Sequence, residues 1–346
     1  MKKIRVAING FGRIGRAFTR LAMEQDTIDI VAINDLNDIE NFAYLLKYDT
    51  AYGKSGLDIS IKDDNGSAVL TVNGKDIVFL SEKDPACLPW KDLNIDVVLE
   101  ATGFFTEFAK AKLHLDAGAS RVVISAPGKG DSVAGVSSAT VLMGINEESL
   151  ATCQISSNAS CTTNASSPVI QILNESVGVE KALLNTVHGY TATQKLVDSP
   201  DSKDWRRGRA AAQNIIPSTT GAAKAVTKVV TDLEGKFDGI ALRVPVITGS
   251  VADITFVAKR DTSVEEINEI LQKAADEERW KDIFTVAQDP IVSSDIVGNK
   301  YAAIIDPAFT RVVGGNLVKV LSWYDNEIGY THTLIKHIKK IGEYLS

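Results

Sequence analysis

The chain has 346 residues, of which 45% are hydrophobic and 23% charged, and it carries a net charge of −7. That composition excludes a disordered or fibrous protein and gives no overall attraction to nucleic acid or anionic lipid, while the length predicts two globular domains. Three cysteines without CxxC spacing exclude a disulfide scaffold, and no stretch approaches 18 uninterrupted apolar residues, so a soluble, cytoplasmic protein with no membrane or nucleic-acid partner is expected.

The first predicted strand is the alternation at Ile4 to Ile8, and a helical pattern follows Gly15, with Phe18, Leu21 and Ala22 on one face. Between them Gly10, Gly12 and Gly15 form G-x-G-x-x-G. Gly10 permits a tight turn, Gly12 lets backbone approach a pyrophosphate, and Gly15 lets helix pack close to strand. A second strand, "DIVAIND", ends in Asp35, 20 residues after Gly15. A carboxylate there accepts hydrogen bonds from ribose hydroxyls and repels a 2′-phosphate, so the pattern predicts a Rossmann-type domain binding NAD in preference to NADP.

Further strands are predicted within 96–103 and 121–128. Ligands of open parallel sheets sit beyond the carboxyl ends of strands, which makes Thr102, Gly103 and Ser125 candidates for lining the cofactor cleft. Cys87, in "DPACLPW", and Cys153 are expected to be small buried side chains.

After "QISSNASCTTNAS" the pattern is helical again, with Ala165, Val169, Ile172 and Leu173 on one face. Cys161 at the start of such a helix would feel the positive end of its dipole, which lowers a thiol pKa and makes a nucleophile. Pro168 favours a later start, so the boundary stays open. His188 closes the strand-like "LLNTVHG" and is the candidate base, whereas His114, His332 and His337 read as surface or packing residues. No histidine pair has metal-ligand spacing, so no metal is expected. The basic cluster "KDWRRGRAAA" reads as a solvated or interface-forming loop.

The motifs "INGFGRIGR", "SNASCTTN", "TVHGYTATQ", "IIPSTTGAAKAV", "RVPV" and "SWYDNEIGY" together resemble the phosphorylating glyceraldehyde-3-phosphate dehydrogenase family, in order and approximate spacing, over essentially the whole chain. The resemblance implies an α/β Rossmann-type doubly wound parallel sheet over 1–160, completed by a C-terminal helix within 326–346. It also implies an α+β catalytic domain over 161–325 with a mixed, largely antiparallel sheet. By the same resemblance Cys161 is the catalytic thiol and His188 its acid–base partner. Thr191 and Arg243 hold the substrate phosphate, while Ser160, Thr162, Thr220 and Gly221 serve the attacking inorganic phosphate. Arg13, Ile14, Asn326 and Tyr330 match cofactor contacts, and the family assembles as a homotetramer through a loop near 190–215. Three positions depart from the common pattern: Ala165 replaces a second cysteine, Gly189 an Ala or Ser, and Ile328 an aromatic residue. Competing expectations are erythrose-4-phosphate dehydrogenase, the NADP-linked semialdehyde dehydrogenases, a thiol redox sensor using Cys161, and an RNA-binding role that the acidic total disfavours.

Overall fold

Glycine and proline punctuation divides the chain into short strands and helices, which the computed structural model describes for residues 3–64 and 66–345. Two compact units result, one comprising 1–159 with 331–346 and the other 160–330.

The first unit begins with β1 (Ile4–Asn9), α1 (Arg13–Ala22), β2 (Ile28–Asn34) and α2 (Ile39–Lys47). It continues with β3 (Ile59–Asp64), β4 (Ser67–Val72), β5 (Lys75–Leu80), β6 (Val97–Glu100), α3 (Phe108–Asp116), β7 (Arg121–Ile124), β8 (Ser138–Thr140) and β9 (Ile155–Ser157). Their order in the sheet is β8-β9-β7-β6-β1-β2-β5-β4-β3. The run from β8 to β5 is parallel, and β4 and β3 add antiparallel strands at one edge. Strand order reverses direction around β1, which puts a crevice at the carboxyl ends of β1, β2 and β6, where such folds hold nucleotides. Val6, Ala7 and Ile8 are wholly buried, as are Val97, Val98 and Leu99, because helices and loops cover both faces of a parallel sheet. Trp90 packs with Ala7, Ala32, Ile95 and Val98 in one core cluster.

The second unit opens with α4 (Cys161–Ser176), β10 (Val179–Gly189), β11 (Ile216–Thr219) and α5 (Ala222–Thr227). β12 (Phe237–Val244), β13 (Ser250–Ala258), α6 (Val264–Ala275), β14 (Phe284–Val286), β15 (Ala303–Ile305), β16 (Arg311–Val313) and β17 (Leu317–Tyr324) follow. They build a mixed sheet in the order β11-β12-β10-β13-β17-β15-β14, with β16 also on β17. β10, β13 and β17 pair antiparallel, while β12 runs parallel to β10. The last helix, α7 (Ile328–Gly342), belongs to the first unit from Thr331 onward. The α/β class with one parallel-rich and one mixed sheet is as expected.

Two local readings change. Cys87 is exposed, not buried: Asp84 caps a 3₁₀ turn over Pro85–Cys87 that sends Pro85 and Leu88 into the core and turns the thiol outward. The helix boundary left open by Pro168 falls at Cys161, with Ser160 as N-cap. Pro168 cannot donate to the Asn164 carbonyl, and the helix tolerates the break because side chains serve the neighbouring carbonyls. Ser166 and Ser167 hydroxyls donate to the carbonyls of Thr162 and Thr163 at 2.7 Å, and Ser322 donates to that of Ala165 at 3.0 Å.

Candidate active site and nucleotide pocket

The glycine loop is built as its spacing requires. Gly10 has φ +98°, and a Cβ on it would stand 2.6 Å from the Thr102 amide nitrogen. A Cβ on Gly15 would lie 2.3 Å from the Gly10 carbonyl oxygen, whereas one on Gly12 would meet nothing within 4 Å. Gly10 and Gly15 therefore let the protein pack against itself, and Gly12 leaves room for a ligand. Helix α1 begins at Arg13, two residues before Gly15, with Gly12 as an N-cap that offers no side-chain bond. Its first-turn amides are thus available to an anion.

Asp35 stands just past β2. One carboxylate oxygen accepts the Phe11 amide at 2.8 Å, and the other accepts the Asn37 amide and side chain at 3.1 and 2.9 Å. A cleft of about 490 Å³ opens among Asn9, Gly10, Gly12, Asn34, Asp35, Leu36, Thr102 and Phe104. Its size, its open glycine and its carboxylate fit a dinucleotide. Arg13 forms an ion pair with Asp49 and lies 5.6 Å from the centre of the Tyr52 ring, beside half-buried Ile14. The Thr102 amide and hydroxyl donate to Glu100, and the Ser125 amide donates to the Glu100 carbonyl at 2.9 Å. Asn326 and Tyr330 belong to the other unit. There the Asn326 side-chain oxygen accepts the Gly249 amide at 2.9 Å and the Ser250 hydroxyl at 3.1 Å, and Tyr330 is buried in α7.

In the second unit the chemistry gathers at the start of α4. The Ser160 hydroxyl caps the helix by accepting the Thr163 amide at 3.1 Å. Cys161, half-buried in the first turn, has Sγ 3.4 Å from His188 Nε2 at the end of β10. The parallel register of β10 and β12 sets Arg243 directly beside His188. Arg243 Nη1 lies 2.6 Å from His188 Nδ1, and the Gly189 carbonyl lies 2.7 Å from the same nitrogen. Guanidinium only donates and carbonyl only accepts, so Nδ1 serves one of them at a time. With its hydrogen on Nδ1 toward Gly189, His188 presents a lone pair on Nε2 to the thiol.

Burial pushes the Cys161 thiol above its ordinary pKa, outweighing the Arg243 charge and the Thr162 hydrogen bond that pull it down. The direction is opposite to that expected for a thiol at a helix start, because loss of water costs the thiolate more than the Arg243 charge and the hydrogen bonds return. His188 is pushed down to about 3, first by burial and then by the Arg243 charge, against the Gly189 carbonyl. Neither partner favours a charge alone. Passing one proton from Sγ to Nε2 makes both charges together, each placed beside its opposite.

Tyr324 is a site residue that sequence reasoning missed. Its hydroxyl sits 2.8 Å from that of Thr162 and 2.7 Å from that of Thr186, and its ring meets His188 edge-on at 5.9 Å. "SWYDNEIGY" carried the hint, but only the pairing of β13 with β17 brings Tyr324 to this side of the sheet. Thr191, Thr220 and Gly221 stand on loops with local bonds: Thr191 to Thr193 at 3.0 Å and Thr220 to the Ala222 amide at 3.2 Å, while Gly221 is exposed at the start of α5. Among the described residues no cluster of three or more His, Cys, Asp or Glu side chains could hold a metal, and no helix is long and apolar enough to cross a membrane.

A Rossmann-type nucleotide unit in a chain that also brings a thiol, an imidazole and a guanidinium into contact defines a dinucleotide-dependent enzyme. Comparison with known proteins narrows the class. Residues 4–108 match the glyceraldehyde 3-phosphate dehydrogenase NAD binding domain and residues 160–326 its C-terminal domain. The chain is 46% identical over 345 residues, 99% of each chain, to a glyceraldehyde-3-phosphate dehydrogenase of Streptomyces coelicolor. It is also 46% identical over 337 residues, 96% of each, to one of Clostridium acetobutylicum. The chain belongs to the glyceraldehyde 3-phosphate dehydrogenase family.

Proposed function

We propose that the protein catalyses the reversible oxidation of D-glyceraldehyde 3-phosphate with NAD and inorganic phosphate, yielding 1,3-bisphosphoglycerate. The observation that carries this reading is Cys161 Sγ at 3.4 Å from His188 Nε2 in a chain of this family. His188 takes the thiol proton as Sγ attacks the aldehyde carbon and returns it to the new alkoxide, which leaves a hemithioacetal on Cys161 and a neutral Nε2. Nε2 then removes the hemithioacetal hydroxyl proton, and a thioester on Cys161 remains. NAD, when bound, supplies the acceptor for the hydride lost in that oxidation. Phosphate attacks the thioester, its oxygen displaces sulfur as acyl phosphate leaves, and Cys161 is freed.

Arg243 and Thr191 serve the substrate phosphate, and Ser160, Thr162, Thr220 and Gly221 the attacking phosphate, as donors suited to anions. Gly10, Gly12, Arg13, Ile14, Gly15, Asp35, Thr102, Ser125, Asn326 and Tyr330 hold the cofactor. The molecule works in the cytoplasm as a homotetramer. Support for self-association comes from an apolar, exposed loop: Leu196 is 79% exposed, Val197 68% and Trp205 87%. Such a cluster is unusual on a surface that stays in water.

The test is NAD reduction with D-glyceraldehyde 3-phosphate, with and without inorganic phosphate, for wild type and Cys161→Ser. Phosphate-dependent turnover that vanishes in the variant is expected. Equal turnover without phosphate, or a fully active variant, refutes the reading.

A further inference from the structure

Under the nucleotide cleft a chain of side-chain hydrogen bonds runs through the interior. Trp90, wholly buried, donates its indole N–H to His114 Nδ1 at 3.0 Å. Indole nitrogen can only donate, so Nδ1 holds the lone pair and Nε2 the hydrogen. His114 Nε2–H donates to Glu100 Oε2 at 3.1 Å, and neither side chain has any solvent exposure. The same oxygen accepts Asn9 Nδ2 at 2.6 Å. Glu100 Oε1 accepts the Thr102 amide at 2.8 Å and the Thr102 hydroxyl. Asn9 passes the chain on by accepting Asn34 Nδ2 at 2.8 Å, and Asn34 is pinned to the backbone of Glu82 through both its N–H and its carbonyl.

The ends of this chain differ from its middle. Asn9, Asn34, Glu82 and Thr102 line the cleft, while Trp90, His114 and Glu100 stand behind them. A buried carboxylate with a buried imidazole adds little stability over apolar side chains of the same volume. What it adds is direction: each donor aimed at Glu100 fixes the orientation of a wall residue. The Thr102 turn held this way is also the surface against which Gly10 closes, since a Cβ on Gly10 would stand 2.6 Å from the Thr102 amide nitrogen.

We propose that Glu100, His114 and Trp90 are positioning residues that preorganise the floor of the nucleotide pocket by fixing the side chains of Asn9 and Thr102. The inference rests on the reading of that cleft as the NAD site. His114, expected only to pack, therefore acts on cofactor affinity without touching the cofactor.

The test compares full-length wild type with His114→Leu, His114→Gln and Glu100→Gln. The readouts are dissociation constants for NAD and ADP-ribose, turnover at saturating NAD, and melting temperature. Leu at 114 removes both hydrogen bonds and should weaken both ligands about tenfold while turnover at saturation is kept. Gln keeps one donor and one acceptor and should recover most of the affinity. Glu100→Gln, which faces donors with a donor, should lose at least as much as His114→Leu. Wild-type affinity in a folded His114→Leu protein overturns the proposal, as does an equal loss in Leu and Gln that follows melting temperature. If His114→Leu does not fold, the ¹⁵N spectrum of wild-type His114 decides: hydrogen on Nε2 and a shift on adding ADP-ribose are expected, and hydrogen on Nδ1 or an unmoved signal overturns it. A wild type that binds neither ligand overturns the NAD reading as well, whereas intact wild-type binding with unaffected variants removes only the positioning role.

Discussion

His337 Nε2 accepts the Ser156 hydroxyl at 2.7 Å, while His337 Nδ1 faces the Asn158 side-chain oxygen at 3.2 Å, and neither His337 nor Ser156 is reached by solvent. Helix α7 is thereby tied to β9 and to Asn158 just beyond it. Burial pushes His337 down to about 3. An unfolded chain binds that proton near pH 6.5, so the stability due to neutral His337 is complete above about pH 6.5 and is lost as pH falls toward 3. At pH 5 the loss from this group is about 2 kcal/mol. His188 contributes in the same direction. His337→Gln, which keeps a donor and an acceptor but does not titrate, should flatten the fall in urea-unfolding free energy between pH 6.5 and 4. An unchanged slope would show that His337 is not buried neutral.

The three glycines of the nucleotide loop should separate by function. Gly15→Ala forces a Cβ toward the Gly10 carbonyl oxygen, at 2.3 Å, and should cost on the order of 2 kcal/mol of stability together with NAD binding. Gly12→Ala meets no protein atom within 4 Å, so its melting temperature should stay near that of wild type while the KM for NAD rises. Thermal melts with NAD titrations check both, and a Gly12→Ala protein with normal NAD affinity would contradict the role given to that glycine.

The cofactor preference proposed for Asp35 rests on its charge and its hydrogen bonding. Replacing it with Ala should lower the preference for NAD over NADP, as a ratio of kcat/KM values, by about 10- to 100-fold. Because Asp35 also accepts the Phe11 amide at 2.8 Å, some loosening of the glycine loop should raise the KM for both cofactors. An unaltered ratio would place the discrimination elsewhere.

Arg243→Gln removes a positive charge that helps hold His188 down, so the His188 pKa should rise toward its ordinary value. The acidic limb of the pH profile should then move to higher pH, and the KM for the phosphorylated aldehyde should increase about 100-fold through loss of a charge-assisted contact. Profiles of kcat and kcat/KM measured side by side distinguish the two effects. A large KM change with an unmoved acidic limb would leave Arg243 as an anion anchor alone.

Much of this protein was legible before any coordinates. The strand, glycines and acid of the first 35 residues form a local pattern, and backbone sterics act over such short stretches. Cys161 and His188 could be singled out because each ends or begins an element whose periodicity is visible nearby. What lies between distant segments was not legible. Tyr324 reaches Thr162 across 162 residues and Glu100 meets Asn9 across 91, contacts that depend on sheet order and register. Cys87 is expected to be buried because cysteine usually packs as a small hydrophobe, yet one capped turn points it outward. The sequence by itself determined the family and the nucleotide fold, and it singled out Cys161 and His188 as candidates. Only tertiary structure decided that burial raises the Cys161 thiol against the Arg243 charge, and that His114 and His337 are buried hydrogen-bonding centres, because water is excluded by packing that no single segment encodes.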